Sequence, residues 1–161
     1  MHDPHARVFA QDFADVTYEN LVFNVAANAC AVAGLSAAEV TTCRFDWAAP
    51  GTWPSPGEWD AVIGADLVYT DSMAPVLAGV AAGLLHARGG ARLLLVSPDG
   101  RAGLAPLVAA LGARGFVLDA QPAPRAYHAF PVRGASEADE CLHFVQLKWT
   151  TYRLLTFTHV V

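Results

Sequence analysis

The sequence predicts an α/β sandwich built on a mostly parallel sheet with an antiparallel edge. Three observations lead there. Short apolar runs rich in β-branched residues alternate with stretches whose apolar residues recur every three or four positions. Clusters of glycine, proline and aspartate fall between them. Two strand-like runs then close the chain with no helical stretch between them. Alternation of this kind places right-handed crossovers over a parallel sheet and gathers ligand loops at the carboxyl ends of the strands.

Arg7 to Gln11 is a first strand ending at Asp12. Tyr18, Leu21, Val22, Val25, Ala29, Val32 and Ala33 then mark one face of a helix that stops near Gly34. Val40 to Phe45 is the second strand, followed by a loop from Ala48 to Gly57 punctuated by Pro and Gly. Ala61 to Ala65 is a third strand, apolar throughout, as expected when helices cover both faces of a parallel sheet. The next helix carries Met73, Val76, Leu77, Val80 and Leu84, with Asp71 or Ser72 as cap and Pro75 in its first turn, where its missing N–H is harmless.

Gly89-Gly90 ends that helix, and Arg92 to Ser97 is the fourth strand. Leu104, Leu107, Val108 and Leu111 mark a short helix closed by Gly112 and Gly115, before the strand Phe116 to Ala120. Residues 121–139 form an irregular loop rich in Pro, Gly and Ala. Cys141 to Trp149 and Tyr152 to Thr158 are the two terminal strands. A chain of 161 residues, 54% hydrophobic and 16% charged, must bury a core and fits a single domain or part of one.

A formal net charge of −5 with scattered Lys and Arg argues against nucleic acid as a partner. No apolar run reaches the roughly 18 residues that span a bilayer, and no signal-peptide core opens the chain, so no membrane partner is expected and a cytoplasmic or nuclear protein is. Cys30, Cys43 and Cys141 lack paired spacing and read as small buried residues of a reducing compartment. The histidines show no ligand spacing, so no metal site is expected. Ser97-Pro98-Asp99-Gly100 reads as a tight turn, and no G-x-S-x-G elbow suggests a hydrolase.

Candidate chemistry lies at strand ends. Asp12 stands where a strand gives way to a helix; its carboxylate either accepts hydrogen bonds from ribose hydroxyls or caps the helix, a role for which Asp15 competes. Asp46-Trp47 follows the second strand, where an indole packs on a purine or simply covers the sheet edge, with Trp53 and Trp59 as rival rings. Asp66 and Tyr69 put a carboxylate and a phenol together just past the third strand. An acid following a wholly apolar run must reach solvent, cap a helix or bind something.

Three segments then resemble one family in order. WDAVIGADLVY, from Trp59 to Tyr69, resembles the fourth strand and D-x-x-Y signature of the protein-lysine subfamily of seven-strand, class I methyltransferases that use S-adenosylmethionine, the family 16-like group. DFADVTYENLVFNVAAN, from Asp12 to Asn28, resembles its second-strand acid and following helix, with Asn24 and Asn28 matching an Asn-x-x-x-Asn ending; Phe45 to Trp47 resembles its third-strand end. The resemblance covers Val8 to Phe116 and implies a Rossmann-like methyltransferase sandwich.

It further implies that Asp12 binds the ribose of S-adenosylmethionine, that Asp46 and Trp47 frame the adenine, and that Ala65 and Asp66 line the methionine end. Tyr69 would face an incoming lysine amine, with Asp66 orienting it, so Asp66 and Tyr69 are the catalytic candidates. The implied partner is a protein substrate of the translation-factor or chaperone kind.

The family also has a strand and G-x-G loop about twenty residues ahead of its ribose-binding acid. Here eleven residues precede Asp12 and the first glycine is Gly34, so the expectation is an N-terminally truncated domain lacking that strand and loop. A catalytically inactive binding or interaction module is the rival reading. An unrelated nucleotide-binding α/β protein is a third, opposed by the lack of a phosphate-binding glycine loop.

Overall fold

A computed structural model of the chain describes residues 7–32, 39–123 and 151–160. The expected helix end at Ala33 and Gly34, the strand Cys141 to Trp149 and most of the 121–139 loop lie outside these residues. The described elements run β1 (Arg7–Gln11), α1 (Asp15–Val32), β2 (Glu39–Cys43), a 3-10 turn (Pro50–Thr52), β3 (Ala61–Ala65), α2 (Met73–Leu84), β4 (Arg92–Pro98), α3 (Leu104–Gly112), β5 (Phe116–Pro122) and β6 (Tyr152–His159). This is the α/β alternation that the periodicity predicts. The chain divides into two compact units, Met1–Pro54 and Ser55–Val161.

In the first unit β1 and β2 pair in parallel, Arg7 opposite Glu39 through Gln11 opposite Cys43, with α1 as their crossover. Parallel strands require such a crossover because no tight turn can join them. The second strand is shorter than expected: pairing stops at Cys43, and Phe45 is buried in the segment that follows. Tyr18, Leu21 and Val25 form the half-buried face of α1, whereas Val22 of the predicted stripe is exposed.

In the second unit the strand order is β3-β4-β6-β5. β3 and β4 are parallel, and β6 runs antiparallel to both β4 and β5. Antiparallel pairing thus occupies the side of the sheet that ends in β5. That strand extends to Pro122, because Gln121 and Pro122 pair with Leu154 and Arg153, which moves these residues from the predicted loop into the sheet.

Register explains the core. Val62, Leu93, Phe157 and Leu118 stand in one cross-strand row, and Gly64, Leu95, Leu155 and Ala120 in the next. Leu93, Leu95, Leu155 and Phe157 are buried, and α2 and α3, which pack on one another, add Leu77, Val80, Leu84, Leu107 and Leu111. Full burial of such side chains stabilises by roughly 1.5–3 kcal/mol each. Alanines 74, 78 and 81 are fully buried on α2 while Val76 is exposed, so the inward stripe differs from the one drawn through the large residues. Ser72 holds the N-cap position of α2, but its hydroxyl meets that of Thr70 at 3.0 Å and makes no cap hydrogen bond.

The expectation that β3 is covered on both faces is not met. Ala61, Ile63 and Ala65 are exposed, Ile63 to 78%, and only the alternate positions Val62 and Gly64 turn inward. β3 is an outer strand of its four-stranded sheet, and one of its two faces is turned inward.

Candidate functional site

In the first unit the polar residues at the ends of β1 and β2 hold one another. Asp12 Oδ1 accepts the backbone N–H of Phe13 at 2.7 Å and the hydroxyl of Thr17 at 2.7 Å. The Thr17 hydrogen bond, foremost, holds the Asp12 carboxyl below the ordinary aspartate range, so it is an anion and a hydrogen-bond acceptor. The helix itself opens one step later, with the Ala14 carbonyl accepting the N–H of Tyr18 at 2.8 Å. Asp15 is not the cap: it pairs with Arg44 at 2.5 Å, whose guanidinium lies 5.9 Å from the Phe13 ring centroid.

Asp46 Oδ1 accepts the N–H of Ala48 at 2.8 Å, the short-range turn that aspartate makes readily. Its carbonyl accepts the indole N–H of Trp53 at 2.9 Å. The half-buried Trp47 donates its indole N–H to Gln11 Oε1 at 3.2 Å, and Gln11 Nε2 donates to the Phe45 carbonyl at 3.1 Å. Gln11 therefore pins the ring that the resemblance assigns to adenine. Gln11 belongs to no recognisable motif, although it directly precedes Asp12 at the end of β1. Cys43, the free thiol at the end of β2, is pushed up in pKa by burial, which suits an unreactive apolar role.

In the second unit the third strand ends in a turn with a specific cause. Asp66 adopts the left-handed region at φ 50° and donates its N–H to the Val96 carbonyl at 2.8 Å, extending the β3–β4 ladder by one bond. Aspartate tolerates this conformation better than most side chains. The turn folds Leu67 back over Gly64, where an added Cβ would lie 2.7 Å from Leu67 Cγ. The glycine of the I-G-A-D segment thus makes room for the reversal that presents Asp66 and Tyr69.

Asp66 is not free. Arg101 Nε donates to Asp66 Oδ1 at 2.6 Å and its terminal nitrogen donates to Oδ2, a bidentate pair in which each side chain is about one-third exposed. The guanidinium carbon also lies 5.0 Å from the Tyr69 ring centroid, within cation–π range. Asp66 raises the Arg101 pKa above its ordinary value, chiefly through the hydrogen bond. Tyr69 itself is 54% exposed, and Ala65, the last residue of β3, is also exposed.

Arg101 is not among the residues that the sequence pattern singles out. Its signal was the Ser97-Pro98-Asp99-Gly100 turn, which ends the strand next to β3 and so brings its loop beside Asp66. Gly103 fixes that approach: it is buried at φ 82°, and a Cβ there would meet Val68 Cγ1 and lie 2.5 Å from the Thr70 carbonyl oxygen. Asp99 is held in turn by Arg153 at 2.5 Å and by the Thr151 carbonyl, which accepts its N–H at 2.8 Å. Among the described residues no cluster of three or more His, Cys, Asp or Glu side chains could hold a metal ion, and no helix is long and apolar enough to cross a membrane.

No family model and no curated protein matches the sequence. Solved structures do match the fold. A candidate sarcosine dimethylglycine methyltransferase from Galdieria sulphuraria aligns with TM-score 0.60 and 13% identity, over 94% of this chain and 69% of its own. The (4+2) cyclase SpnF aligns with TM-score 0.56 and 16% identity, over 97% of this chain and 67% of its own. The carbon methyltransferase CurJ aligns with TM-score 0.56 and 14% identity, over 95% of this chain but 41% of its own. The chain therefore has the Rossmann-like fold found in methyltransferases, and it spans about two thirds or less of these three proteins.

Proposed function

We propose that the protein acts in methyl transfer from S-adenosylmethionine to an amine, and that the amine is a protein lysine side chain. The observation that carries this reading is the Asp66–Tyr69 turn: a carboxylate and a phenol presented together at the carboxyl end of β3, in a fold that methyltransferases share. The lysine assignment rests on the D-x-x-Y resemblance alone, and the methyltransferases of this fold described above are named for small-molecule or carbon substrates.

The residues of the first unit fit the cofactor's polar parts. Asp12 is held as an anion and suits ribose hydroxyls, and Trp47 offers a ring already fixed by Gln11. When bound, S-adenosylmethionine supplies an electrophilic methyl carbon on a sulfonium. A neutral amine held at Asp66 and Tyr69 would accept that methyl, and the proton it gives up would pass to water. A lysine amine is protonated at neutral pH, so it would reach Asp66 as the ammonium and would have to give up one proton before transfer. Asp66 and Tyr69 would orient the nitrogen, a contribution to catalysis chiefly by positioning.

Calorimetry with S-adenosylhomocysteine on the full chain tests the cofactor half of the proposal. Binding is expected; a cooperatively folded chain that takes up none refutes an enzyme. Asp66→Ala and Tyr69→Phe test the other half, each expected to reduce methyl transfer to a lysine-bearing protein by at least roughly tenfold, the scale of a lost orienting contact. Full activity in both would remove these residues from the site. A second reading, an inactive module that binds a partner, is favoured by one observation: both Asp66 oxygens are engaged by Arg101. Cofactor uptake without any transfer would support that module.

A further inference from the structure

The two groups assigned to the substrate amine already hold a cation. We propose that Arg101 is an internal cation seated in the amine subsite, a competitor that an incoming alkylammonium head must displace from Asp66 and Tyr69. The proposal rests on reading Asp66 and Tyr69 as the amine site.

Three features support it. The guanidinium takes both carboxylate oxygens and faces the Tyr69 ring, so it uses the same charge and the same aromatic surface that would recognise a lysine head group. The two partners also differ in freedom. Asp66 is fixed by its left-handed turn and by its hydrogen bond to Val96, whereas Arg101 reaches it on a flexible stem that is one-third exposed and can swing into solvent. Finally, the competing carboxylate on the same loop, Asp99, is engaged by Arg153. A displaced guanidinium has no second acid on its own loop to hold it away, so it returns when the site empties.

Such a plug sets a threshold for entry. A neutral or anionic molecule gains nothing at the carboxylate while Arg101 is seated. A cation gains the carboxylate only by breaking the existing pair, so selectivity for alkylammonium heads is obtained at the expense of affinity.

The test is an NMR titration of the full chain with Nα-acetyl-lysine amide, following the Tyr69 ring signals and the Arg101 Nε–H. In the wild type the probe is expected to shift Tyr69 and to move the Arg101 Nε–H toward its solvent-exposed position. Arg101→Gln, which removes the competitor, is expected to bind the probe about fivefold more tightly, the upper end for a partly exposed ion pair. Arg101→Lys, which keeps a cation with one contact, is expected to lie between them. A purely structural Arg101 would not tighten binding when removed. Unchanged or weaker binding by a folded Arg101→Gln overturns the inference while leaving the amine site intact. If that variant does not fold, the wild type decides: a Tyr69 shift with an unmoved Arg101 Nε–H overturns it equally. Tyr69 signals that stay silent in every form refute the amine site itself, and the plug with it.

Discussion

Gly103 joins the loop that bears Arg101 to the turn that bears Asp66, and its replacement by alanine tests that junction directly. Two costs add. The residue sits at φ 82°, where an L side chain costs roughly 1–2 kcal/mol. Its new Cβ would lie 2.5 Å from the Thr70 carbonyl oxygen and 2.9 Å from its carbon, and would also strike Val68 Cγ1. Ordinary contact needs about 1 Å more, and because Thr70 presents backbone the strain must be taken up by shifting one loop, at about 1–3 kcal/mol. Gly103→Ala should therefore lose about 2–5 kcal/mol, read as a lower urea midpoint at unchanged slope. Gly79→Ala is the matched control: Gly79 lies inside α2 with nothing within 4 Å of its Cβ position, so alanine there should gain about 0.5–1 kcal/mol. A Gly103→Ala protein within about 0.5 kcal/mol of the wild type would refute the close loop contact.

Two other outcomes follow from single side chains. Phe157, 1% exposed in the cross-strand row of Val62, Leu93 and Leu118, should cost about 3–5 kcal/mol on truncation to alanine, measured by the same denaturation; a loss below about 1 kcal/mol would mean that β6 does not seal the core. Thr17→Val should raise the Asp12 pKa toward the ordinary aspartate value in an NMR carboxyl titration. Because folding lowers that pKa, its stabilisation is present above the unfolded value and lost as pH falls through the folded one. The variant should accordingly be the less stable form near neutrality and converge on the wild type in acid. An unmoved Asp12 titration would show that the hydroxyl is not its main partner.

The alternation of elements was legible because it is local. β1, α1, β3, α2, β4 and α3 each announce themselves by their own periodicity and by the glycines or prolines that bound them. What escaped is long-range. Gln121 and Pro122 look like loop residues until β6 supplies their partners Leu154 and Arg153. The buried alanines of α2 escaped for another reason: an alanine signals little hydrophobicity, yet Ala74, Ala78 and Ala81 are wholly buried. The candidate site divides the same way. Asp66 and Tyr69 stand out in one short window, whereas Arg101 is 35 residues from Asp66 and is concealed in a turn that any solvent-facing loop would contain.

Fold does not choose between chemistries here, since a cyclase and methyltransferases share it with this chain at comparable TM-scores. The proposed reading places the discriminating information in the turn after β3. Glycine would occupy the left-handed position of residue 66 with less strain than any L residue, yet an aspartate stands there. A cap is not the reason, because α2 begins only at Met73 and its N-cap is Ser72. Nor is the ion pair with Arg101 a sufficient one: at one-third exposure solvent screens it, and such pairs add little to stability. A strained backbone carrying a charge that stabilises the fold only weakly supports the proposed recognition role of Asp66. On that proposal, the carboxylate has its use in what it can exchange Arg101 for.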